Sequence, residues 1–377
     1  MAPRRILLSV GDESGDLHAA NLMRAIRAQA PEAEFAGFGM ARMAEAGLEP
    51  LAEEGAADGD MWLRNVLRLG RYRRRLAVCC EYLDRRKPDL VVPVDFGGFN
   101  LCLCRAAAER GIAVFYYIPP QAWAHGEYRL KKLRKWISRA GLIYPFEEPL
   151  YRRRGVPAEY VGHPLFDELD RRPPSQQVVE GLRDGFGDML VGVFPGSRRQ
   201  EVRAHVPVMA EAARRIRRNV PQAAFAAVCT PGLGETVREL VSRAGGGVEV
   251  LDGVRPVELA RASRLCLTKS GTITLEIASQ LTPMVVYYRA GGLVAFLAYG
   301  LSSTPHVGLI NVLAGRVVCP ELATVAARPG WIAEQACRLL TEEGAWQACR
   351  RGMRQATDGF AVPGASERAA RCALSLL

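Results

Sequence analysis

One aspartate of the sequence stands where a general base would be needed. Asp95 follows the apolar run LVVPV at 90–94, which predicts a buried strand. The residue after such a strand lies at the carboxyl end of a parallel sheet, where ligands bind, and an apolar environment there raises the pKa of a carboxyl group. Asp95 is therefore predicted to be the base that accepts a hydroxyl proton, although an aspartate in this place also caps helices.

A second candidate base lies in the stretch SGDLH at 14–18. His18 would accept the proton, and Asp16 would orient its ring. The same letters suit an Asp16 that caps a helix and a His18 that lies on the surface. Asp95 and the pair of Asp16 and His18 therefore remain alternative bases, with Asp95 ranked first.

Two further stretches, FPGSRRQEV at 194–202 and SGTITLE at 270–276, each follow an apolar run and open a helical one. The first N–H groups of a helix and the positive end of its dipole bind anions. No acidic DxD metal motif lies where the nucleotide is expected, beside these two stretches, so a diphosphate is predicted to bind here without a metal ion, with Arg198 as the fixed cation. The residues predicted to hold it are Gly196, Ser197, Arg198, Ser270, Gly271 and Thr272.

The elements that position these residues alternate between strand-like and helical runs almost throughout the chain. Short runs rich in Val, Ile and Leu, separated by helical segments, indicate an α/β protein with parallel sheets covered on both faces. The strand–turn–helix entrance at 5–20 recurs at 189–210. The sequence therefore predicts two Rossmann-like, doubly wound domains that face a central cleft.

The length of 377 residues also favours two domains of ordinary size. The Pro-rich stretch RRPPSQQ at 171–177 is the predicted linker. It divides the chain into a first domain at 1–170 and a second at 171–344. The helices of 345–377 are predicted to pack back on the first domain.

Composition excludes several other classes of protein. A hydrophobic content of 49% and a charged content of 24% exclude disorder. The ten cysteines show no CxxC pair or Cys/His ligand spacing, so we expect reduced cytosolic thiols and no metal site. The N-terminus predicts no signal peptide, and LVAFLAYGL at 293–301 is shorter than the ~20 residues that span a bilayer. The net charge of +10 comes without a base-reading motif, so no nucleic-acid partner is expected.

Two basic segments also carry apolar side chains. The first, MWLRNVLRLGRYRRRL at 61–76, places Trp62, Leu63 and Leu67 among arginines, and the second is EYRLKKLRKWISR at 127–139. Basic residues beside an exposed apolar stripe suit an anionic membrane surface. We expect 61–76 to touch a membrane; an ordinary amphipathic helix with a solvated polar face is the alternative.

Nine short motifs lie in one order between residue 6 and about residue 322. They are VGDESGDLHAA (10–20), KPDLVVPVD (87–95), FN (99–100), YYIPPQAWA (116–124), YPFEEPLY (144–151), YVGHPLFDEL (160–169), FPGSRRQEV (194–202), SGTITLE (270–276) and NVLAGR (311–316). With this ordered set the chain resembles the lipid-A-disaccharide synthases, which are inverting glycosyltransferases of GT-B architecture.

The resemblance implies a reaction and its partners. The family transfers 2,3-diacylglucosamine from UDP to 2,3-diacylglucosamine 1-phosphate, which gives a β-1,6-linked disaccharide phosphate and UDP. It works at the cytoplasmic face of the inner membrane. Carried over to this sequence, Asp95 is the base, Glu276 holds the ribose, Asn311 and Glu321 lie near the nucleotide, and Ser14, Gly15 and Asn100 lie on the acceptor side.

The sequence also departs from the family pattern. Gly97-Gly98 replace a Pro-Asp pair, which puts acceptor choice in doubt, and Thr324 stands where a Gln is expected. Two alternatives therefore stay open: another GT-B enzyme that transfers from a UDP-sugar to a lipid acceptor, and a catalytically silent relative that binds nucleotide or lipid. An oligomer is also possible. His163, His205 and His306 are interpreted as packing residues.

Overall fold

The structure, a computed structural model, describes residues 4–51, 63–125, 128–230, 232–245, 247–289 and 305–377. The chain divides into two compact units. Unit 1 contains the chain up to Asp167 together with Val362–Leu377, and unit 2 contains Glu168–Ala361. The first crossing lies close to the predicted boundary at 170, whereas the chain returns at 362 and not at 345.

Unit 1 is a parallel sheet of seven strands in the order β3-β2-β1-β4-β5-β6-β7. Its strands are β1 Arg5–Ser9, β2 Glu34–Phe38, β3 Leu48–Pro50, β4 Leu90–Pro93, β5 Ala113–Tyr117, β6 Arg139–Leu142 and β7 Ala158–Tyr160. Its helices are α1 Glu13–Gln29, α2 Ala41–Glu45, α3 Leu63–Arg86, α4 Gly97–Ala108, α5 Ala122–His125, α6 Tyr128–Trp136, α7 Glu147–Arg153 and α8 Leu165–Arg171, which crosses into unit 2.

Unit 2 is a parallel sheet of six strands in the order β10-β9-β8-β11-β12-β13. Its strands are β8 Leu190–Phe194, β9 Ala224–Ala227, β10 Glu249–Val250, β11 Leu265–Lys269, β12 Met284–Arg289 and β13 Glu321–Thr324. Its helices are α9 Gln176–Phe186, α10 Arg199–Asn219, α11 Gly234–Ala244, α12 Pro256–Ala262, α13 Ile273–Ser279, α14 Leu309–Ala314, α15 Pro329–Thr341 and α16 Glu343–Thr357.

The central strands of both sheets are apolar along their whole length. Every residue of β4 and of β8 is buried, as expected for parallel strands that helices cover on both faces. In both sheets the strand order reverses direction beside the first strand of the unit, β1 or β8. The prediction of an α/β protein with two doubly wound, Rossmann-like sheets is confirmed.

Only the last helix, α17 (Ala365–Leu374), returns to unit 1. The buried carboxylate of Asp167 accepts the N–H groups of Gly364, Ala365 and Ser366 at 2.7, 2.9 and 2.8 Å, which fixes the start of α17. The preceding helix α16 was also predicted to pack on the first domain, and this was wrong. Its apolar face, including the buried Cys349 and Met353, belongs to the core of unit 2.

In the part of the chain that the structure describes, no helix is both long and apolar enough to cross a membrane. The apolar stretch 293–301 lies outside the described residues.

Candidate active site

Asp95 lies in a strained turn at the carboxyl end of β4. Val94 continues the strand with a single bridge to Tyr117, and then Asp95 and Phe96 both adopt the left-handed conformation, with φ of 50° each. A left-handed backbone costs a non-glycine residue roughly 1–2 kcal/mol, and such strain concentrates at functional sites. The half-buried Asp95 is therefore held in a turn that the chain would not adopt without support.

Two buried side chains support this turn. Asn100, fully buried, donates from Nδ2 to the carbonyl oxygens of Asp95 at 2.8 Å, Val94 at 3.2 Å and Ser9 at 3.3 Å. The hydroxyl of Tyr116 donates to the same Asp95 carbonyl at 2.8 Å. Asn100 thus supports the Asp95 turn through its Nδ2, while its buried Oδ1 has no hydrogen-bond partner among the described residues. The predicted place of Asn100 on the acceptor side stays a prediction.

The turn also touches the first loop of the chain. The ring of Phe96 lies over Gly11, where an added Cβ would come within 2.2 Å of ring atoms. Any side chain at position 11 would therefore displace Phe96, and with it the neighbouring Asp95. The loops after the paired strands β1 and β4 thus lie together at one edge of unit 1.

The second candidate base is arranged differently from the prediction. The buried carboxylate of Asp16 accepts the backbone N–H groups of Met40 at 2.6 Å, Arg42 at 3.0 Å and Met43 at 3.4 Å, so it caps α2. These bonds aim Asp16 at α2, so its predicted role of orienting His18 is wrong. Ser14 takes that place, with its Oγ 3.2 Å from His18 Nε2.

The remaining predicted residue of the first loop, Gly15, has a structural partner. Its N–H donates to Oδ1 of Asp12, which caps α1, at 2.8 Å. The predicted contacts of Ser14 and Gly15 with an acceptor stay predictions.

Glu147 is a residue of this edge that the sequence analysis did not select. It opens α7, just after β6, and only 2% of it is exposed. Its Oε1 has no hydrogen-bond partner among the described residues, and burial raises the pKa of its carboxyl group to about 8. The pKa of the Tyr144 hydroxyl is raised by burial and then by Glu147 and Asp95, so both carboxylates act on one phenol. The sequence signal that could have identified Glu147 was the pair of glutamates that follows YPF after a predicted strand.

Replacing Glu147 with glutamine is expected to stabilise the protein at alkaline pH. The folded pKa lies above the ordinary value of 4.5, so stability from this group is full below about pH 4.5 and is lost as the pH rises towards 8. Glutamine has no proton to lose. The free energy of unfolding of Glu147→Gln relative to wild type should therefore increase by roughly 2–4 kcal/mol between pH 5 and pH 8.

Denaturant titrations at the two pH values measure this difference. Glu148→Gln is the matched control, because Glu148 pairs at the surface with Arg152 at 3.2 Å. A pH-independent difference for Glu147→Gln would show that the buried carboxyl group does not titrate in this range.

His163 is a packing residue, as predicted. Its Nδ1 accepts the N–H of Leu165 at 3.2 Å, and its ring lies 5.5 Å from that of Tyr144. Burial, with a smaller contribution from His18, lowers the pKa of His163 to about 3. The imidazole is therefore neutral and is not a proton carrier near pH 7.

In unit 2, the turn after β8 already contains a carboxylate. Oε2 of Glu201 accepts the N–H groups of Ser197 at 3.1 Å and Arg198 at 3.4 Å, and Gly196 leaves the room that this carboxylate needs. The anion site predicted at Gly196 and Ser197 is therefore occupied by the chain's own Glu201. Arg198 is not a fixed cation either: its side chain is 81% exposed and lies 3.9 Å from Glu201.

The turn after β11 is joined to a second loop. The hydroxyl of Ser270 donates to the Val307 carbonyl at 2.6 Å. Gly271 has a φ of 151°, a conformation that side chains disfavour, and Thr272 is exposed just before α13. The predicted contact of this backbone with a diphosphate stays a prediction, while the Ser270 side chain bonds the loop at 306–308.

The side chains of Glu321 and Asn311 form hydrogen bonds with backbone groups of nearby segments. Oε2 of Glu321 accepts the N–H groups of Val307 at 3.0 Å and Gly308 at 2.7 Å, and its Oε1 lies 2.8 Å from His306 Nδ1. Asn311, fully buried, bonds the backbone at 318–319. Glu321 therefore shapes the loop that Ser270 contacts, and Asn311 holds the backbone just before β13, while their predicted contacts with a nucleotide stay predictions. His306, interpreted as a packing residue, is part of this arrangement.

Glu276 lies on α13, one turn after Thr272. Burial raises the pKa of its carboxyl group to about 7, and the positive charge of Arg255 opposes this shift. A carboxylate accepts hydrogen bonds from a pair of hydroxyl groups, as ribose binding requires, whereas its protonated form is a weaker acceptor. Its predicted role therefore has a pH dependence.

We expect UDP affinity to rise with pH between 6 and 8. Glu276 becomes ionised as the pH passes about 7, and the ionised form accepts the ribose hydroxyls better. One such proton changes affinity by at most about tenfold per pH unit. Calorimetric titration with UDP at several pH values measures the slope, and Glu276→Gln should remove it. A slope that persists in Glu276→Gln would assign the titration to another group.

Among the residues that the structure describes, no group of three or more His, Cys, Asp or Glu side chains is placed to hold a metal ion.

Comparisons with known proteins agree with this architecture. The family described as lipid-A-disaccharide synthetase matches residues 6–368. The lipid-A-disaccharide synthase of Syntrophus aciditrophicus is 35% identical over 100% of this chain and 99% of its own length. That of Geobacter sulfurreducens is 32% identical over 99% and 97%.

Solved structures are similar in fold at low identity. The UDP complex of MnaA from S. aureus has a TM-score of 0.67 at 16% identity and covers 99% of this chain and 98% of its own. The glycotransferase of kitacinnamycin has a TM-score of 0.60 at 15% identity and covers 100% and 99%. These likenesses support the GT-B fold class. The family match and the full-length relatives place this chain in the lipid-A-disaccharide synthetase family.

Proposed function

We propose that the chain transfers 2,3-diacylglucosamine from UDP to 2,3-diacylglucosamine 1-phosphate, giving a β-1,6-linked disaccharide phosphate and UDP. Its family makes it a glycosyltransferase. The observation that carries the proposal is the strained turn that holds Asp95 at the carboxyl end of β4. A carboxylate fixed in this way is prepared to take a proton from the acceptor.

In the proposed step, the Asp95 carboxylate accepts the proton of the acceptor 6-hydroxyl group. The oxygen forms a bond to C1 of the donor sugar while the bond from C1 to the diphosphate breaks. UDP leaves with the bonding electron pair, and the configuration at C1 is inverted. Asn100 and Tyr116 fix the Asp95 backbone, so the turn that carries the carboxylate need not be ordered during the reaction.

Unit 2 binds the donor nucleotide in this proposal. Glu276 accepts the ribose hydroxyls, and the diphosphate lies against the backbone of Ser270–Thr272, with Arg198 closing on it from solvent. The positive charge that stabilises the leaving UDP then comes from side chains, so no metal ion is required.

The test is UDP release from both diacyl sugar substrates in detergent, with and without EDTA. We expect turnover that EDTA does not reduce; turnover that requires added Mg²⁺ would contradict the diphosphate site. A GT-B enzyme of other specificity would release UDP only with a different acceptor, such as a polyprenyl-linked sugar. A silent relative would bind UDP and turn over neither.

The chain is also proposed to bind the cytoplasmic face of the inner membrane, because both sugar substrates carry two acyl chains. Trp62 and the side chains of Leu63 and Leu67 lie outside the described residues, while α3 itself begins at Leu63. The sequence pattern of basic and apolar residues at 61–76 supports the proposal.

Changing Trp62, Leu63 and Leu67 together to serine is expected to lower binding to anionic liposomes about tenfold or more, since the three apolar side chains proposed to enter the membrane are lost. Cosedimentation measures the bound fraction. The control variant carries Val317→Ser and Val362→Ser, which replace two exposed apolar residues in other parts of the chain. Equal binding by the triple variant and wild type would place membrane contact in another segment.

A further inference from the structure

Lys269, the last residue of β11, joins the two turns assigned to the donor. Its Nζ lies 3.2 Å from Oε1 of Glu201, the residue whose other oxygen holds the turn after β8. On its other side lies the turn after β11, where a Cβ added to Gly271 would come within 2.8 Å of Nζ. One ammonium group therefore occupies the space between two neighbouring turns at the carboxyl edge of the sheet in unit 2.

The charges at this point do not cancel. The Glu201 carboxylate is surrounded by the Lys269 ammonium at 3.2 Å, the Arg198 guanidinium at 3.9 Å and two backbone N–H groups. Two cations against one carboxylate leave one positive charge in excess. The side chains of Lys269 and Glu201 are each only 16% exposed, so their ion pair is less screened by water than a surface pair, whereas the second cation, Arg198, is exposed.

Lys269 is also better prepared than Arg198 to bind an anion. The Arg198 side chain is 81% exposed and must lose its rotamer freedom on binding, whereas Lys269 is already fixed by Glu201. An ammonium group has three N–H donors, and Glu201 is its one side-chain partner among the described residues. Further donors of the fixed ammonium thus remain for a ligand.

We propose that Lys269 binds the diphosphate of the nucleotide donor and that Glu201 is its positioning residue. This inference rests on the proposed function, because it names a further residue of the same donor site. Position 271 favours glycine because of its φ of 151°, and the absence of a Cβ there leaves room for the ammonium beside the turn. The inference also assigns the fixed cation of the site to Lys269 and leaves Arg198 as a mobile second one.

The test compares UDP with uridine, which lacks the diphosphate, by calorimetric titration of the full-length protein. For Lys269→Met we expect UDP affinity to fall by roughly tenfold or more, the usual effect of losing a hydrogen bond to a charged group, and uridine affinity to stay within about twofold. Lys269→Arg should recover part of the lost UDP affinity. High salt should reduce the difference in UDP affinity between Lys269→Met and the wild type.

Arg243→Met is the matched control, since it removes a positive charge from the last turn of α11, paired at the surface with Glu239. It should leave both affinities unchanged. The inference is overturned if Lys269→Met binds UDP like wild type, or if it loses UDP and uridine equally, since that pattern marks a purely structural residue. If the wild-type protein itself binds no UDP, the proposed function fails instead.

Discussion

Asp95→Asn is expected to lower kcat by roughly 10²–10⁴-fold, the range that a positioned general base contributes. Asparagine has the shape of aspartate but cannot accept the hydroxyl proton. The turn should survive the change, because the bonds from Asn100 and Tyr116 reach the backbone carbonyl of residue 95 and not its side chain. Asparagine also tolerates the left-handed conformation better than most residues. The loss should therefore report chemistry and not folding.

Steady-state UDP release measures kcat, and calorimetric titration with UDP should give wild-type affinity, since nucleotide binding is assigned to unit 2. Asp84→Asn is the control, because Asp84 pairs at the surface with Arg110. The rival base makes the opposite prediction. Near wild-type turnover in Asp95→Asn, together with a large loss in His18→Gln, would transfer the role of base to His18.

The sheets and the position of Asp95 could be predicted because they depend on short-range patterns. A continuous apolar run such as that of β8 is buried in a parallel sheet, and the residue after a strand must lie at the edge of the sheet. The same reasoning predicts which residue lies at the edge of a sheet, but it does not predict the groups with which that residue forms hydrogen bonds. Asp16 bonds residues 24–27 positions away and Asn100 bonds Ser9, 91 positions away, so their roles depend on the fold.

Carboxylates were the main source of error in the candidate site. The sequence shows Glu201 and Glu321 as polar residues beside predicted binding turns, but not that each accepts two backbone N–H groups of a loop. A loop rich in glycine and serine leaves N–H groups without partners, and a nearby carboxylate satisfies them unless a ligand does. Which of the two occurs is decided by side-chain geometry, which the spacing of residues does not contain.

The C-terminal helices show the same limit at the level of domains. Helices α16 and α17 are both amphipathic, and an apolar stripe does not state which sheet it covers. The unit on which α17 packs is decided by the hydrogen bonds from the start of α17 to Asp167, which lies 197–199 residues earlier in the chain. Only α17 has this anchor to unit 1, and α16 packs with unit 2.

Asn100→Ala is expected to lower kcat by about 10²-fold while UDP affinity stays unchanged. The substitution removes the amide that holds the carbonyls of Ser9, Val94 and Asp95, so the strained turn is free to relax and the carboxylate moves. A displacement of about 1 Å at a catalytic group costs this much. The buried carbonyls also lose their donor, so the free energy of unfolding should fall by roughly 1–3 kcal/mol.

A double-mutant cycle separates positioning from simple loss of stability. If Asn100 acts through Asp95, adding Asn100→Ala to Asp95→Asn should lower kcat little further, because the base whose position it controls is already absent. Two independent roles would instead multiply the two losses. Tyr116→Phe removes one bond to the same carbonyl and should give a smaller loss in the same direction. A multiplicative result would contradict the positioning role assigned to Asn100.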